Sequence, residues 1–346
     1  MIAFAPATTS RPIRDTRLLV VRARSRAFFE RRQADLPRLL EAGDVLVVND
    51  AATMAASIFG STERGEPFEA RLLALPDATG ECDAAMLGAG DWHTPTERRA
   101  APPALAPGDR VELGGLRARV TAARARRVRF RFEGDRDAAI AHLYRAGRPV
   151  QYAHIEAPLP LWDVQNVYAA EPWAAEMPSA GRILDFAALD ALRRRGVRIE
   201  RLTHAAGLSS IGDAELDATL PWTERYRIPE ETAEAIASAK GRVIAVGTSV
   251  VRALESAAAA FGEARAGAAT TDLRIGPGFR LRAVSGLLTG MHDVDEAAGL
   301  APTRTSHADL VSAFIPRNFL SEASAFAASR GFLGHELGDS CLILAD

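Results

Sequence analysis

The stretch Gly241-Arg242-Val243-Ile244-Ala245-Val246-Gly247-Thr248-Ser249-Val250-Val251-Arg252-Ala253-Leu254-Glu255 decides the fold. A run from 242 to 246, apolar and mostly β-branched after Arg242, stops at Gly-Thr-Ser and passes directly into residues spaced as a helix, 250–261. That is a buried strand, a tight turn and a helix packed back on it, the repeating unit of α/β sheets. Outward from it the same alternation continues. Pro229, with Glu230 and Glu231 behind it, opens a helix that stops near Lys240-Gly241. Residues 186–195 cluster Ala187, Leu189, Ala191 and Leu192 as a helix closed by Gly196, and 197–203 alternate as a strand. Towards the N-terminus, 17–22 reads as a strand. Gly43-Asp44-Val45-Leu46-Val47-Val48-Asn49-Asp50 reads as another, ending in two polar side chains. In open α/β sheets, sites gather where strands give way to loops.

Between about 59 and 147 the texture changes to short alternating runs: 68–75, 109–113, 116–120 and 127–132, separated by Pro102-Pro103, Pro107-Gly108-Asp109 and Gly114-Gly115. In the last run Val128, Phe130 and Phe132 share one face while Arg127, Arg129 and Arg131 share the other. Short strands with tight turns predict a small antiparallel barrel or sandwich. The expected architecture is an α/β main domain, 1–58 and 148–346, interrupted by a small antiparallel all-β barrel domain, 59–147.

Composition is ordinary for a globular chain: 346 residues, 48% hydrophobic and 25% charged, which excludes disordered, collagen-like and disulfide-framework classes. Cys82 and Cys341 have no metal-ligand spacing and fit a reducing compartment. No apolar run has the length of a membrane helix and residues 1–20 carry no signal-peptide pattern, so a cytoplasmic protein without membrane contact is expected. The formal net charge is -2, and Lys240 is the single lysine against 41 arginines. Near-neutrality does not exclude nucleic acid, because a local basic patch suffices for phosphate contacts.

Judged on residue chemistry alone, the sharpest signal is Gly247-Thr248-Ser249, where a glycine and free amides at a helix start suit a carboxylate or phosphate. The plainer reading has Ser249 capping the helix and Arg252 with Glu255 forming a solvated ion pair; on local signal alone it outweighs the functional one. Glu224, within Pro221-Trp-Thr-Glu-Arg-Tyr226, is a carboxylate among aromatics able to meet a cationic ligand, or a surface acid beside a packed Trp222. His204 and His292 each follow an apparent strand, as acid/base groups or as hydrogen-bonded structural histidines. The arginines of 124–131 either track phosphates or form the wet face of a strand. The seven histidines and two cysteines show no metal-binding spacing, and no phosphate-binding glycine-rich loop occurs.

The order of these pieces resembles one family, the S-adenosylmethionine:tRNA ribosyltransferase-isomerases of queuosine biosynthesis. The likeness runs through 14–20, 43–50, Val164-Gln165-Asn166-Val167-Tyr168-Ala169, Pro178-Ser179-Ala180-Gly181, the 241–255 string, Pro277-Gly278-Phe279, Thr289-Gly290-Met291-His292 and Gly338-Asp339. It spans almost the whole chain. The resemblance implies an α/β domain interrupted by a β-barrel. It also implies transfer of the ribosyl part of S-adenosylmethionine, rearranged to an epoxycyclopentane, onto a 7-aminomethyl-7-deazaguanine base in tRNA, with adenine and methionine leaving and no metal. By the same resemblance the pocket is expected to comprise Asn49, Gln165, Tyr168, Ser179, Gly181, Gly247, Thr248, Ser249 and Arg252, with Glu224, Asp50 and His292 as catalytic groups. Asp50 and Gln165 would hydrogen-bond sugar or purine edges. The ligand is expected between barrel and sheet, against the start of the helix after Val246.

The sequence departs from the family pattern at four of its histidine positions, which hold Ile183, Ala205, Thr219 and Trp222. Ser57 stands where the family has an arginine. His204 lies one residue before the family position, and a one-residue slip on a strand turns it to the opposite face. These departures keep two alternatives open: a diverged S-adenosylmethionine-using transferase or lyase with a small-molecule acceptor in place of tRNA, and a non-catalytic adenosyl-binding paralogue. A monomer is expected. Residues 293–307 read as an insertion beside His292, serving as a lid, a partner surface or a plain loop.

Overall fold

The computed structural model describes residues 4–292 and 306–345. A nine-stranded mixed sheet runs in the order Gly267–Thr271, Glu224–Ile228, Arg198–His204, Val45–Asn49, Val243–Val246, Gly286–Gly290, Ser340–Leu344, Arg17–Arg22, Ala27–Arg32. Its four central strands, from Arg198–His204 to Gly286–Gly290, are mutually parallel. Alternation explains why they are apolar throughout. Val45 and Val47 enter one core with the helices Thr248–Phe261 and Arg317–Ser329, while Leu46 and Val48 enter the opposite core with Leu189 and Leu192 of Phe186–Arg194. Both faces are covered, as a parallel sheet requires.

The strings that carry the family likeness largely lock this sheet together. Asp44, 1% exposed, accepts from the backbone N–H of Glu41 and of Arg242 (both 2.8 Å) and pairs with the Arg242 guanidinium at 2.6 Å. A Cβ at Gly241 would come within 2.5 Å of Asp44 Oδ1, so the Gly-Asp and Gly-Arg pairs hold two neighbouring strands in register. At the other end Asp339, also 1% exposed, accepts from the backbone N–H of Arg17 (2.9 Å) and of Leu333 (2.8 Å) and from Arg11.

The inserted unit is a closed antiparallel barrel of six strands, Leu116–Arg124, Arg127–Phe132, Glu81–Leu87, Pro67–Leu72, Ser57–Thr62 and Arg110–Leu113. Val128, Phe130 and Phe132 are buried inside it and Arg127, Arg129 and Arg131 lie outside, as the alternation predicts. Of the six strands, Ser57–Thr62 and Glu81–Leu87 escape the sequence reading; in the latter Ala84, Ala85, Met86 and Leu87 are buried in a row, so the alternation stops half-way. The chain passes between sheet and barrel where Ser57 and Arg148 exchange both backbone hydrogen bonds, each 2.8 Å. The helix Arg136–Ala146 places Ala139 and Leu143 against the barrel core.

The expected insertion at 293–307 lies outside the described residues, except that Ser306 and His307 begin the helix Ser306–Val311.

Candidate functional site

Because the central strands are parallel, Asn49-Asp50, His204, Gly247 and Gly290–His292 all emerge at one sheet edge, the carboxyl edge where open sheets bind ligands. Between this edge and the barrel lies a cavity of about 460 Å³, within the range of small-molecule sites. Asp77, Asp83, Arg127 and Arg129 line it from the barrel; Trp173, Ala205, Gly207, Trp222, Glu224 and Arg225 line it from the sheet side.

Glu224 is the buried acid of that wall, 7% exposed at the start of the strand Glu224–Ile228. Its Oε1 accepts the Gly207 amide at 2.8 Å, and its Oε2 pairs with Arg252 Nη1. His204 Nε2 stands 3.4 Å from the same oxygen. His204 is fully buried and both its ring nitrogens lack a hydrogen-bond partner, so burial pushes its pKa down to about 4 and the ring is neutral at pH 7. The residue after it, Ala205, borders the cavity; the one-residue slip therefore puts His204 behind the wall, touching Glu224 rather than open space.

The helix start sits deeper than expected. Gly247, at φ 92°, is the N-cap, and no side chain caps the helix. Ser249 Oγ instead receives Asn49 Nδ2 at 3.4 Å, which corrects the capping alternative. Arg252, one turn on, is the helix residue that reaches Glu224. Its expected pairing with Glu255 is also corrected: Glu255 is fully buried and accepts the backbone amides of Arg282, Ala283 and Val284 at 2.9–3.1 Å. Arg252 faces across the sheet end because Glu255 is already saturated.

Asn49 is equally committed. Its Oδ1 accepts from Ala51 and His204 amides and its Nδ2 donates to the His204 carbonyl, bridging two strand ends. Gln165 holds the Thr53 backbone at both ends, 2.9 and 2.8 Å, and so clamps the strand Ala51–Thr53. Asp50 accepts Thr203 Oγ1 at 2.7 Å, and burial raises its pKa against that hydrogen bond. Tyr168 lies close enough to feel the Asp50 charge. Its hydroxyl is buried without a partner, and burial drives its pKa up. Gly181, in the 3-10 turn Ser179–Ile183, is a glycine because a Cβ there would overlap that hydroxyl. Ala180 packs beside Gly247, which brings the Ser179–Gly181 turn to the helix start. Thr248 is half-buried there.

His292 belongs elsewhere. Its ring packs on His307 at 4.3 Å and lies 6.2 Å from His335, beside the C-terminal loop. Beside it, donor atoms of His154, His335 and Glu336 lie within 4.8 Å of one another, a grouping that the spacing of histidines and cysteines in the sequence does not show. Linear spacing hid them.

Of the positions without the family histidines, Ala205 and Trp222 border the cavity, Ile183 is buried in the sheet core, and Thr219 accepts Trp222 Nε1 at 3.1 Å. Opposite Ser57 in the barrel register stands Arg71, 1% exposed and paired with Glu69, whose other oxygen holds Arg99. A guanidinium thus occupies the neighbourhood from the next strand. Sequence reading also misses Trp173, stacked under Arg225 at 4.0 Å, and the Arg127–Trp222 stack at 5.2 Å. Alternating arginines are visible in sequence, but their aromatic partners come from distant segments. Cys82 borders the cavity with its pKa pushed up to about 12 by burial, which makes it an inert apolar wall.

Fold and site define an α/β protein bearing an inserted barrel, with a polar, aromatic-rimmed ligand cavity between the two units. The chain belongs to the family described as queuosine biosynthesis protein, whose pattern matches residues 1–343. It is 34% identical over 322 residues to the S-adenosylmethionine:tRNA ribosyltransferase-isomerase of Thermus thermophilus, covering 91% of this chain and 88% of that one. It is 34% identical over 321 residues to the enzyme of the same name from Syntrophotalea carbinolica, covering 90% and 88%. The crystal structure of S-adenosylmethionine tRNA ribosyltransferase from Thermotoga maritima shares the fold, with TM-score 0.51 and 22% identity over 99% of this chain and 96% of that one. Among the described residues no helix is long and apolar enough to cross a membrane.

Proposed function

We propose that the protein transfers and isomerises the ribosyl part of S-adenosylmethionine onto a 7-aminomethyl-7-deazaguanine base in tRNA, acting in the cytoplasm as a monomer. The observation that carries this reading is the cavity between barrel and sheet with Glu224, held from behind by Arg252, in its wall and tryptophan–arginine stacks beside it. The sulfonium acidifies the C5′ hydrogens of its own ribose and departs as a neutral thioether, so the chemistry draws on no metal. What the protein supplies is position and charge. Glu224, the buried carboxylate of the wall, meets the sulfonium and receives the C5′ proton. The amides of Gly247 to Ser249 hold the methionine carboxylate. Asp50 and Tyr168 meet the sugar, while Asn49, Gln165 and Gly181 keep those groups in place. Trp173 and Trp222, each with a guanidinium stacked on it, suit a flipped anticodon base, which is read by stacking on aromatic and arginine planes. His292 takes no part in this reading.

Incubation of the intact protein with labelled S-adenosylmethionine and tRNA carrying the modified base should release adenine and methionine together. No release with that tRNA would overturn the reading. A second reading, a small-molecule acceptor, is favoured by Ala205 and Trp222 standing where the family carries histidines; a product formed without tRNA would support it.

A further inference from the structure

Four of the seven histidines, His154, His292, His307 and His335, converge at one place outside the cavity just described. His335 and Glu336 belong to the loop between the strands Leu333–Gly334 and Ser340–Leu344. That loop is fixed: Met291 O accepts the His335 amide at 2.8 Å, and Asp339 accepts the Leu333 amide at 2.8 Å. His154 arrives from the segment that leaves the barrel, 181 residues earlier in the chain than His335. Its Nε2 stands 2.9 Å from Glu336 Oε2, and its ring lies 4.6 Å from that of His335. His335 adopts φ 66°, one of three non-glycine residues with positive φ among the described residues.

We propose that His154, His335 and Glu336 form a binding site for a divalent transition-metal ion of the zinc class, with water completing a tetrahedral shell. Two imidazoles and one carboxylate are a known zinc ligand set, with bonds of about 2.0–2.2 Å that set donor atoms roughly 3.3 Å apart. The three donors already lie within 4.8 Å of one another, so small side-chain rotations close the site. The side chains of His154 and Glu336 are 14% and 29% exposed, which gives an ion a path in. The ion would tie the strand-free segment after the barrel to the C-terminal loop, a cross-link between distant parts of the chain.

The test is calorimetric titration of the chelator-treated full chain with Zn2+, beside Co2+ titration followed by visible absorption. One equivalent of Zn2+ should bind and raise the melting temperature, and Co2+ should give the intense d–d bands of a tetrahedral site. His335→Ala and Glu336→Gln should each weaken binding by on the order of 100-fold or more, since losing even an outer partner of a ligand costs 10–100-fold. His93→Ala, an exposed histidine beside Asp91, should bind as the unaltered protein does. Absence of binding to the unaltered protein overturns the proposal. So does unchanged binding in Glu336→Gln, or an octahedral-type Co2+ spectrum. Should His335→Ala not fold, Glu336→Gln and the Co2+ spectrum decide.

Discussion

His204 Nε2 lies 3.4 Å from Glu224 Oε2, yet the ring makes no hydrogen bond through either nitrogen. The carboxylate is engaged by Arg252 and by the Gly207 amide, so the histidine contributes a neutral, desolvated surface at the back of the cavity wall.

That arrangement sets a pH dependence. The folded-state pKa of His204, about 4, is below the ordinary 6.5, so the unfolded chain binds the extra proton first. Its contribution is therefore complete above pH 6.5 and is lost as pH falls towards 4, by about 3 kcal/mol. Urea unfolding at pH 7 and pH 5 should show this slope in the unaltered protein and a smaller one in His204→Leu. Equal slopes in both would refute the assignment.

Glu176 runs the opposite way. Burial lifts its pKa to about 7 while the Tyr152 hydroxyl and the Ser209 amide bind it. The folded chain holds the proton that the unfolded chain has already released, so stability declines as pH rises from 4.5 through 7. Glu176→Gln keeps an acceptor for both donors but cannot ionise. Relative to it, the unaltered protein should lose about 3 kcal/mol between pH 4.5 and 7.5. A constant difference across that range would sink the idea.

Glu224→Gln preserves shape and removes the charge facing the cavity. Turnover should fall by about 10²–10⁴-fold, the usual yield of a positioned acid or base. Arg252, 12% exposed in its side chain, would be left buried and unpaired, with a stability loss of up to about 3–5 kcal/mol. Activity unchanged in a folded variant would exclude Glu224 from the reaction.

Gly181→Ala should cost about 1–3 kcal/mol through collision with the Tyr168 hydroxyl. Adding Tyr168→Phe deletes the nearest colliding atom, so the double variant should regain part of that loss, the remainder coming from Asn166 Nδ2, 2.7 Å from the added Cβ. Additive losses in a double-mutant cycle would show that the crowding lies elsewhere.

Transfer RNA affinity should fall steeply between 50 and 200 mM salt, as counterion release requires. Arg127 and Arg129 are tied to Asp83, and Arg131 to Glu81, so the response should come from arginines outside this strand. The triple alanine variant of these three should keep the slope within about one unit. A flat response in the unaltered protein would favour the small-molecule acceptor.

Much of this was legible from sequence, because local rules govern it. Helix 186–194 and the strand–turn–helix at 243–261 follow from apolar period and glycine punctuation. The barrel strand Arg127–Phe132 follows from strict alternation. Ser57–Thr62 and Glu81–Leu87 were silent; the latter alternates only as far as Ala84 and is buried without a break from there to Leu87. Glu224 was singled out by its aromatic neighbours in sequence, but its partners His204, Gly207 and Arg252 come from two other segments.

Sequence alone determined four of the nine sheet strands, the helices at 186–194, 230–237 and 248–261 and the presence of an inserted barrel, because backbone preference and hydrophobic period act over a few residues. Only the tertiary structure decided which polar groups remain free for chemistry. Gln165, Asn49 and Glu255 turned out to be saturated by backbone, whereas His154, His335 and Glu336 met across 181 residues. A side chain's availability depends on which donors and acceptors the fold brings within about 3 Å of it, and nothing in the linear spacing encodes that.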